Sequence, residues 1–189
     1  MNRSILRISM SLVATGILST GFAFVPSFVQ LPAMAESASA GDEAILLENG
    51  KLVQENRETA LKILAKMGGD ANFGTEAEKS LIASFEGKST PAEKNRVLFL
   101  KNQLTFKAIA AKAGAAPIDT PPSTEGTIVD QNQATLLQNR AVLKSAAEKL
   151  GIDLGTPAPL AEGSKAVQNN ALLKANKAAL AKFVAKLGS

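Results

Sequence analysis

Apolar residues recur along this chain in steps that alternate three and four positions, and they do so in four separate stretches. The first runs Leu46, Asn49, Val53, Asn56, Ala60, Ile63, Met67. The second runs Ala92, Asn95, Phe99, Asn102, Phe106, Ile109, Ala113. The third reads Val129, Asn132, Leu136, Asn139, Leu143, Ala146, Leu150, and the fourth Ala166, Asn169, Leu173, Asn176, Leu180, Phe183, Leu187. That spacing puts all seven residues of a stretch on one face of an α-helix. A second apolar row, with Leu52, Leu98 and Leu172, widens the stripe to a core-facing surface.

The four stretches are copies of one unit. Each ends in Lys, an apolar or small residue and Gly, at Gly68, Gly114, Gly151 and Gly188, so successive copies lie 46, 37 and 37 residues apart. Counting back from each glycine, position −12 is always asparagine (Asn56, Asn102, Asn139, Asn176), and so is position −19 (Asn49, Asn95, Asn132, Asn169). Coincidence at eight matched offsets identifies an internal repeat.

Local signals mark the ends of these helices. Thr90-Pro91-Ala92-Glu93 is a capping box with proline at the first helical position. Gly126-Thr127 and Gly163-Ser164 open the third and fourth copies, and the four terminal glycines suit left-handed C-caps. Gly50 weakens the first copy, at about 1 kcal/mol relative to alanine. A second capping box, Thr75-Glu76-Ala77-Glu78, starts a short helix through Leu81, Ile82 and Phe85 that stops at Gly87. No stretch reads as a strand. The expected fold is all-α, with four long amphipathic repeat helices plus one short helix.

Residues 115–126 and 152–163 are proline-rich linkers that cannot be helical throughout. Twelve extended residues reach about 40 Å, enough either to return along a whole helix or to make a loose antiparallel connection. Base rates favour an up-and-down bundle. The alternative is a parallel helical repeat stack with extended return linkers, in which both sets of asparagines would align.

Ahead of the repeats, Arg3 and Arg7 precede an apolar stretch from Ser11 to Val29, and Ala33-Met34-Ala35 offers a small-x-small site before Glu36. Residues 1–35 therefore read as a signal peptide and 36–189 as a single exported domain, periplasmic or extracellular. The competing reading is an uncleaved N-terminal membrane anchor, since the stretch is about long enough to cross a bilayer.

Composition narrows the chemistry. The chain has no Cys, His, Trp or Tyr, which removes disulfides, thiolate and imidazole metal sites and Cys- or His-dependent catalysis. Glu43, Glu48, Glu55 and Glu58 cluster off the apolar stripe, where solvent would leave them ordinary acids. No phosphate loop, nucleophile elbow or metal cluster is present, so no enzyme, cofactor or metal is expected. Nucleic acid is disfavoured by three arginines in the repeats (Arg57, Arg96, Arg140) and few aromatics.

Charge is split along the chain. Residues 36–89 hold 10 acids and 6 bases, whereas residues 90–189 hold 7 acids and 13 bases. Such a chain is expected to meet a protein partner or itself through ends of opposite charge and the edges of its terminal helices. The alternative function is contact with an anionic membrane or acidic polymer through Lys165, Lys174, Lys177, Lys182 and Lys186, which have no acid between them.

The eight asparagines need partners if they face a core, because an unsatisfied buried polar group costs about 1–3 kcal/mol. Three roles compete: pairing with one another to fix register, holding the main chain of a returning linker, or lining a groove for a polar ligand. A job repeated identically four times favours structure over ligand.

Overall fold

The computed structural model describes residues 40–188 except Ala71, Asp119 and Ala158; the signal peptide expected over residues 1–35, and its expected cleavage before Glu36, lie outside these residues. The described residues form five α-helices and no strand: α1 (Ala40–Lys66), α2 (Glu76–Phe85), α3 (Pro91–Lys112), α4 (Ile128–Lys149) and α5 (Lys165–Gly188). The four long helices are the four repeat copies, and α2 is the short one.

Their ends follow the sequence signals. Thr75, Thr90 and Thr127 each cap the third residue of a helix, and Glu78, Glu93 and Asp130 bond back to the capping residue in turn. At the other ends, Gly68, Gly114 and Gly151 adopt φ between 64 and 74°, a left-handed conformation that costs glycine little. Gly188 instead completes the last turn of α5.

Helices α1, α3, α4 and α5 close into a ring in the order α1–α3–α4–α5–α1, and each touches only its two neighbours in that ring. All four point the same way. Asn95 and Asn102 of α3 bond to the carbonyls of Leu46 and Val53 of α1, so seven residues forward on one helix is seven forward on the other. The same step holds between α4 and α3 and between α1 and α5. Matching Asn169 of α5 with Val129 of α4 continues it around the ring. The bundle is thus parallel, and the up-and-down arrangement expected on base rates is replaced by its alternative. The physical reason is the linkers: they are long enough to return, and parallel alignment alone lets both asparagine sets reach a neighbour.

The linker after α3 is held along its route. It starts against the core with Ala115 and Ile118. Its Pro121 carbonyl then accepts from Gln138 of α4, and its Ser123 carbonyl accepts from Arg96 near the start of α3. Thr127 then opens α4 at the level where Thr90 opened α3.

The core is layered along the ring axis. Val53, Phe99, Leu136 and Leu173 form one buried layer, with an asparagine layer on either side. Toward the helix C-termini lies the larger cluster, with Ile63, Phe106, Ile109, Leu143, Leu180 and Phe183 among its buried members. α2 packs on the outside of α3, where Glu78 pairs with Lys107 at 2.7 Å and Glu86 with Lys101 at 2.9 Å. Partial burial works to raise the Glu78 carboxyl, but Lys107 and the Thr75 cap outweigh it and hold the group below the usual carboxylate range.

A depressed acid contributes stability that is complete above its unfolded value, near 4.5, and is lost as pH falls through the folded value. The α2 amides should therefore exchange faster relative to α3 amides as pH drops below 4.5, and Lys107→Met should abolish most of that dependence. Equal pH sensitivity in protein and variant would show that the pair does not hold α2.

Candidate functional site: an amide ladder with one open seam

Each ring asparagine sits on the core stripe, so its carboxamide must bond inside the protein. All eight are buried, at 1–4% exposure. Seven donate Nδ2 to a carbonyl of the adjacent long helix, over 2.7–3.4 Å: Asn49 to Ala166, Asn56 to Leu173, Asn95 to Leu46, Asn102 to Val53, Asn132 to Ala92, Asn139 to Phe99 and Asn169 to Val129. Every acceptor lies three residues before the neighbour's own asparagine. A helical carbonyl has a second lone pair for such a bond and can only accept, which fixes which way each amide faces.

None of the three roles weighed from sequence matches this arrangement in full. The eight do not pair with one another, and their donors take the main chain of a neighbouring helix instead of a returning linker. The reason is reach: in parallel register each carboxamide lies beside the next helix's backbone, closer than any linker. Six of the eight Oδ1 atoms (Asn56, Asn102, Asn132, Asn139, Asn169 and Asn176) are buried without a partner. The ladder therefore spends stability on alignment.

Neighbouring columns of the repeat add locks beside the ladder. One residue after each −19 asparagine stand Gly50, Arg96, Gln133 and Asn170. Arg96 donates to Gln131 O at 2.9 Å, Thr135 Oγ1 at 2.6 Å and Ser123 O at 2.6 Å, and its guanidinium lies 6.0 Å from the Phe85 ring centroid. Burial lowers its pKa to about 10, so it stays charged at neutral pH. Gln133 bonds to Gln168 and Asn170 to Asn49. Gly50 gives up a side chain for proximity: a Cβ there would lie 2.7 Å from Asn95 Oδ1. Its place in mid-helix is a requirement of the α1/α3 seam.

The column at −11 locks three seams and misses one. Arg57 reaches Thr105 on α3, Gln103 reaches Gln138 on α4, and Lys177 reaches Glu55 on α1. Arg140 of α4 has no bonding partner among the described residues. Its partners are missing because α5 carries Ala175 and Ala179 where α4 carries Gln138 and α3 carries Thr105. The same seam lacks one rung of the ladder: Asn176 makes no side-chain bond to α4, although it is only 2% exposed. Where these locks are absent the α4/α5 seam opens into a groove of about 460 Å³, lined among others by Leu137, Leu154, Pro157 and Ala175. Arg140, Lys144 and Lys182 also line it, and among the described residues no acid does.

A second cavity of about 380 Å³, lined among others by Phe73, Leu104 and Pro117, carries one cation and one acid, Lys107 and Glu78, which pair with each other. The lysines expected to meet an anionic surface are mostly engaged. Lys174 pairs with Glu48 at 3.2 Å, Lys177 with Glu55 at 2.7 Å, Lys165 donates to Gln133 and Lys182 to the Asp153 carbonyl. Asn170, and then Lys174, hold the Glu48 carboxyl below its usual range. The acids of the first copy thus face the bases of the last.

Among the described residues, no group of three or more Asp or Glu is arranged to hold a metal ion, and no helix is long and apolar enough to cross a membrane. Arg96, Arg140 and Gly50 are absent from a reading based on the apolar stripe alone; aligning the copies column by column is the signal that would have found them.

Three substitutions, in two comparisons, test the seam chemistry. Gly50→Ala should lower stability by about 1–3 kcal/mol through overpacking against the pinned Asn95 amide, despite alanine's better helix propensity. Asn139→Ala should cost about 1–3 kcal/mol, and Asn176→Ala less, because the latter removes no hydrogen bond. Chemical denaturation reads both; a stabilised Gly50→Ala, or equal costs at 139 and 176, would contradict the described packing.

In comparisons with known proteins, no family model, no curated protein and no solved structure matches this chain.

Proposed function

We propose that this chain is an exported, non-catalytic protein-interaction module of the cell envelope or extracellular space. The basic n-region, apolar stretch and Ala-x-Ala site of residues 1–35 support export, and the repeat domain is the part that binds. The observation that carries the reading is the inequality of the four seams. Three are zipped by paired amide bonds and polar locks, while the fourth keeps an apolar groove under a basic rim. A cleft of this size and lining is suited to recognition.

The same geometry changes the expected route of contact. Terminal helices α1 and α5 cover each other's edges, and the opposite charges of the two ends meet within the molecule. Head-to-tail self-association therefore loses its main attraction, although exposed ion pairs of this kind contribute only about 0–1 kcal/mol each.

The rival is an anionic-membrane or polyanion-binding protein acting through α5. Cosedimentation with vesicles of phosphatidylglycerol and phosphatidylcholine, at low and moderate salt, separates the two. The protein and a variant with Lys174, Lys177, Lys182 and Lys186 changed to Gln should sediment alike. A salt-sensitive loss of vesicle binding in the variant would transfer the function to the rival, and concentration-dependent oligomers without lipid would restore self-association.

A further inference from the structure

Resting on the protein-interaction reading, we infer that the α4/α5 groove binds an extended acidic peptide segment with apolar side chains, whose carboxylate pairs with Arg140 and whose backbone carbonyl accepts from Asn176 Nδ2.

The repeat itself singles out this place. A residue in the Arg140 column crosses to the next helix in the other three seams, and a ladder amide is bonded at every other position. Both departures fall on one seam and, among the described residues, both leave a donor unused: the half-buried Arg140 has no anion and the Asn176 Nδ2, alone in the ladder, has no carbonyl. They border the same cavity. Arg140 offers a planar fork that matches a carboxylate. Asn176 Oδ1 is buried, as at five other rungs, so the group left for a ligand is its Nδ2 donor, the complement of a peptide C=O. Elsewhere in the ladder the same side chain already bonds to main-chain carbonyls, so the groove asks of a ligand what the neighbouring helix supplies at the other seams.

The remaining lining agrees with this occupant. Ala175 and Ala179 remove bulk where the adjacent copies carry Gln138 and Val142, which leaves room for an inserted apolar side chain between α4 and α5. Lys144 and Lys182 are bonded, to Glu148 at 3.7 Å and to the Asp153 carbonyl at 2.8 Å, and add positive potential at the mouth without filling it. Charge complementarity thus points to an acidic ligand, and the amide to a peptide in preference to a simple acyl chain.

The test is a titration of the isotope-labelled protein with a capped Glu-Leu-Leu-Glu tetrapeptide, followed by amide chemical shifts, including the side-chain signal of Asn176. A capped Lys-Leu-Leu-Lys peptide and decanoate serve as the other arms. Saturable shifts confined to the groove, produced by the acidic peptide and not by the basic one, are expected. Arg140→Gln and Asn176→Leu should each weaken binding by about tenfold or more, and since neither side chain bonds to another described residue, their unchanged melting would show that the fold is intact. No binding, equal binding of the basic peptide, tighter binding of decanoate, or indifference to both variants would each overturn the inference. Shifts at the cavity beside Phe73 and Leu104 would overturn it while leaving an interaction module; salt-sensitive vesicle binding through α5 would overturn the module reading itself.

Discussion

A carboxamide that donates to the main chain of the next helix, three residues before that helix's own asparagine, sets the geometry of this protein. Made at positions −19 and −12 of nearly every copy, the bond requires adjacent helices to run the same way and in the same register. The two rungs lie seven residues apart, about 10.5 Å along the helix, so a slip of one turn on any helix would break both at once. Parallel neighbours in a single chain need return paths, which the segment carrying α2 supplies between α1 and α3 and the proline-rich linkers supply after α3 and α4. Closure of α5 onto α1 then leaves no long helix with an unpaired side.

This order is obtained at a cost in stability. Six amide oxygens are buried without a partner, each worth about 1–3 kcal/mol, on a domain whose net stability is of the order of 5–15 kcal/mol. Apolar residues at the same positions would bury more favourably but would let helices slide, rotate or reverse, as buried polar residues in coiled coils prevent. The large apolar cluster toward the helix C-termini supplies the offset, with Phe106, Ile109, Leu180 and Phe183 all but inaccessible to solvent. Specificity and stability are thus placed in different halves of one rod.

Much of this was legible in the sequence. Periodicity located all four long helices, the capping boxes at Thr75 and Thr90 located two starts, and matched asparagines identified the repeat. Direction was not legible from linker length, because twelve residues satisfy both topologies. The pattern did hold the information: in an antiparallel bundle only the −12 residues would meet, so the repetition of asparagine at −19 has no purpose there. Arg96 and Gly50 were visible as residues, but what they do was not, for a different reason. Their roles depend on what lies across a seam, at Ser123 and Thr135 for one and Asn95 for the other, and no single-helix pattern encodes that contact.

The open seam shows how a repeat acquires a groove. Loss of a lock needs no new motif, only two alanines on α5 where other copies carry polar partners. The same ring symmetry that makes three seams rigid makes the exception conspicuous. All of it presupposes the parallel register, and the absence of native cysteine makes that directly measurable with spin labels. With Leu47→Cys on α1 paired in turn with Lys94→Cys and Lys112→Cys on α3, the 47–94 distance should be clearly the shorter, since the two α3 positions lie about 27 Å apart along the helix axis. A shorter 47–112 distance would reverse α3 against α1 and contradict the ladder on which the fold and the groove depend.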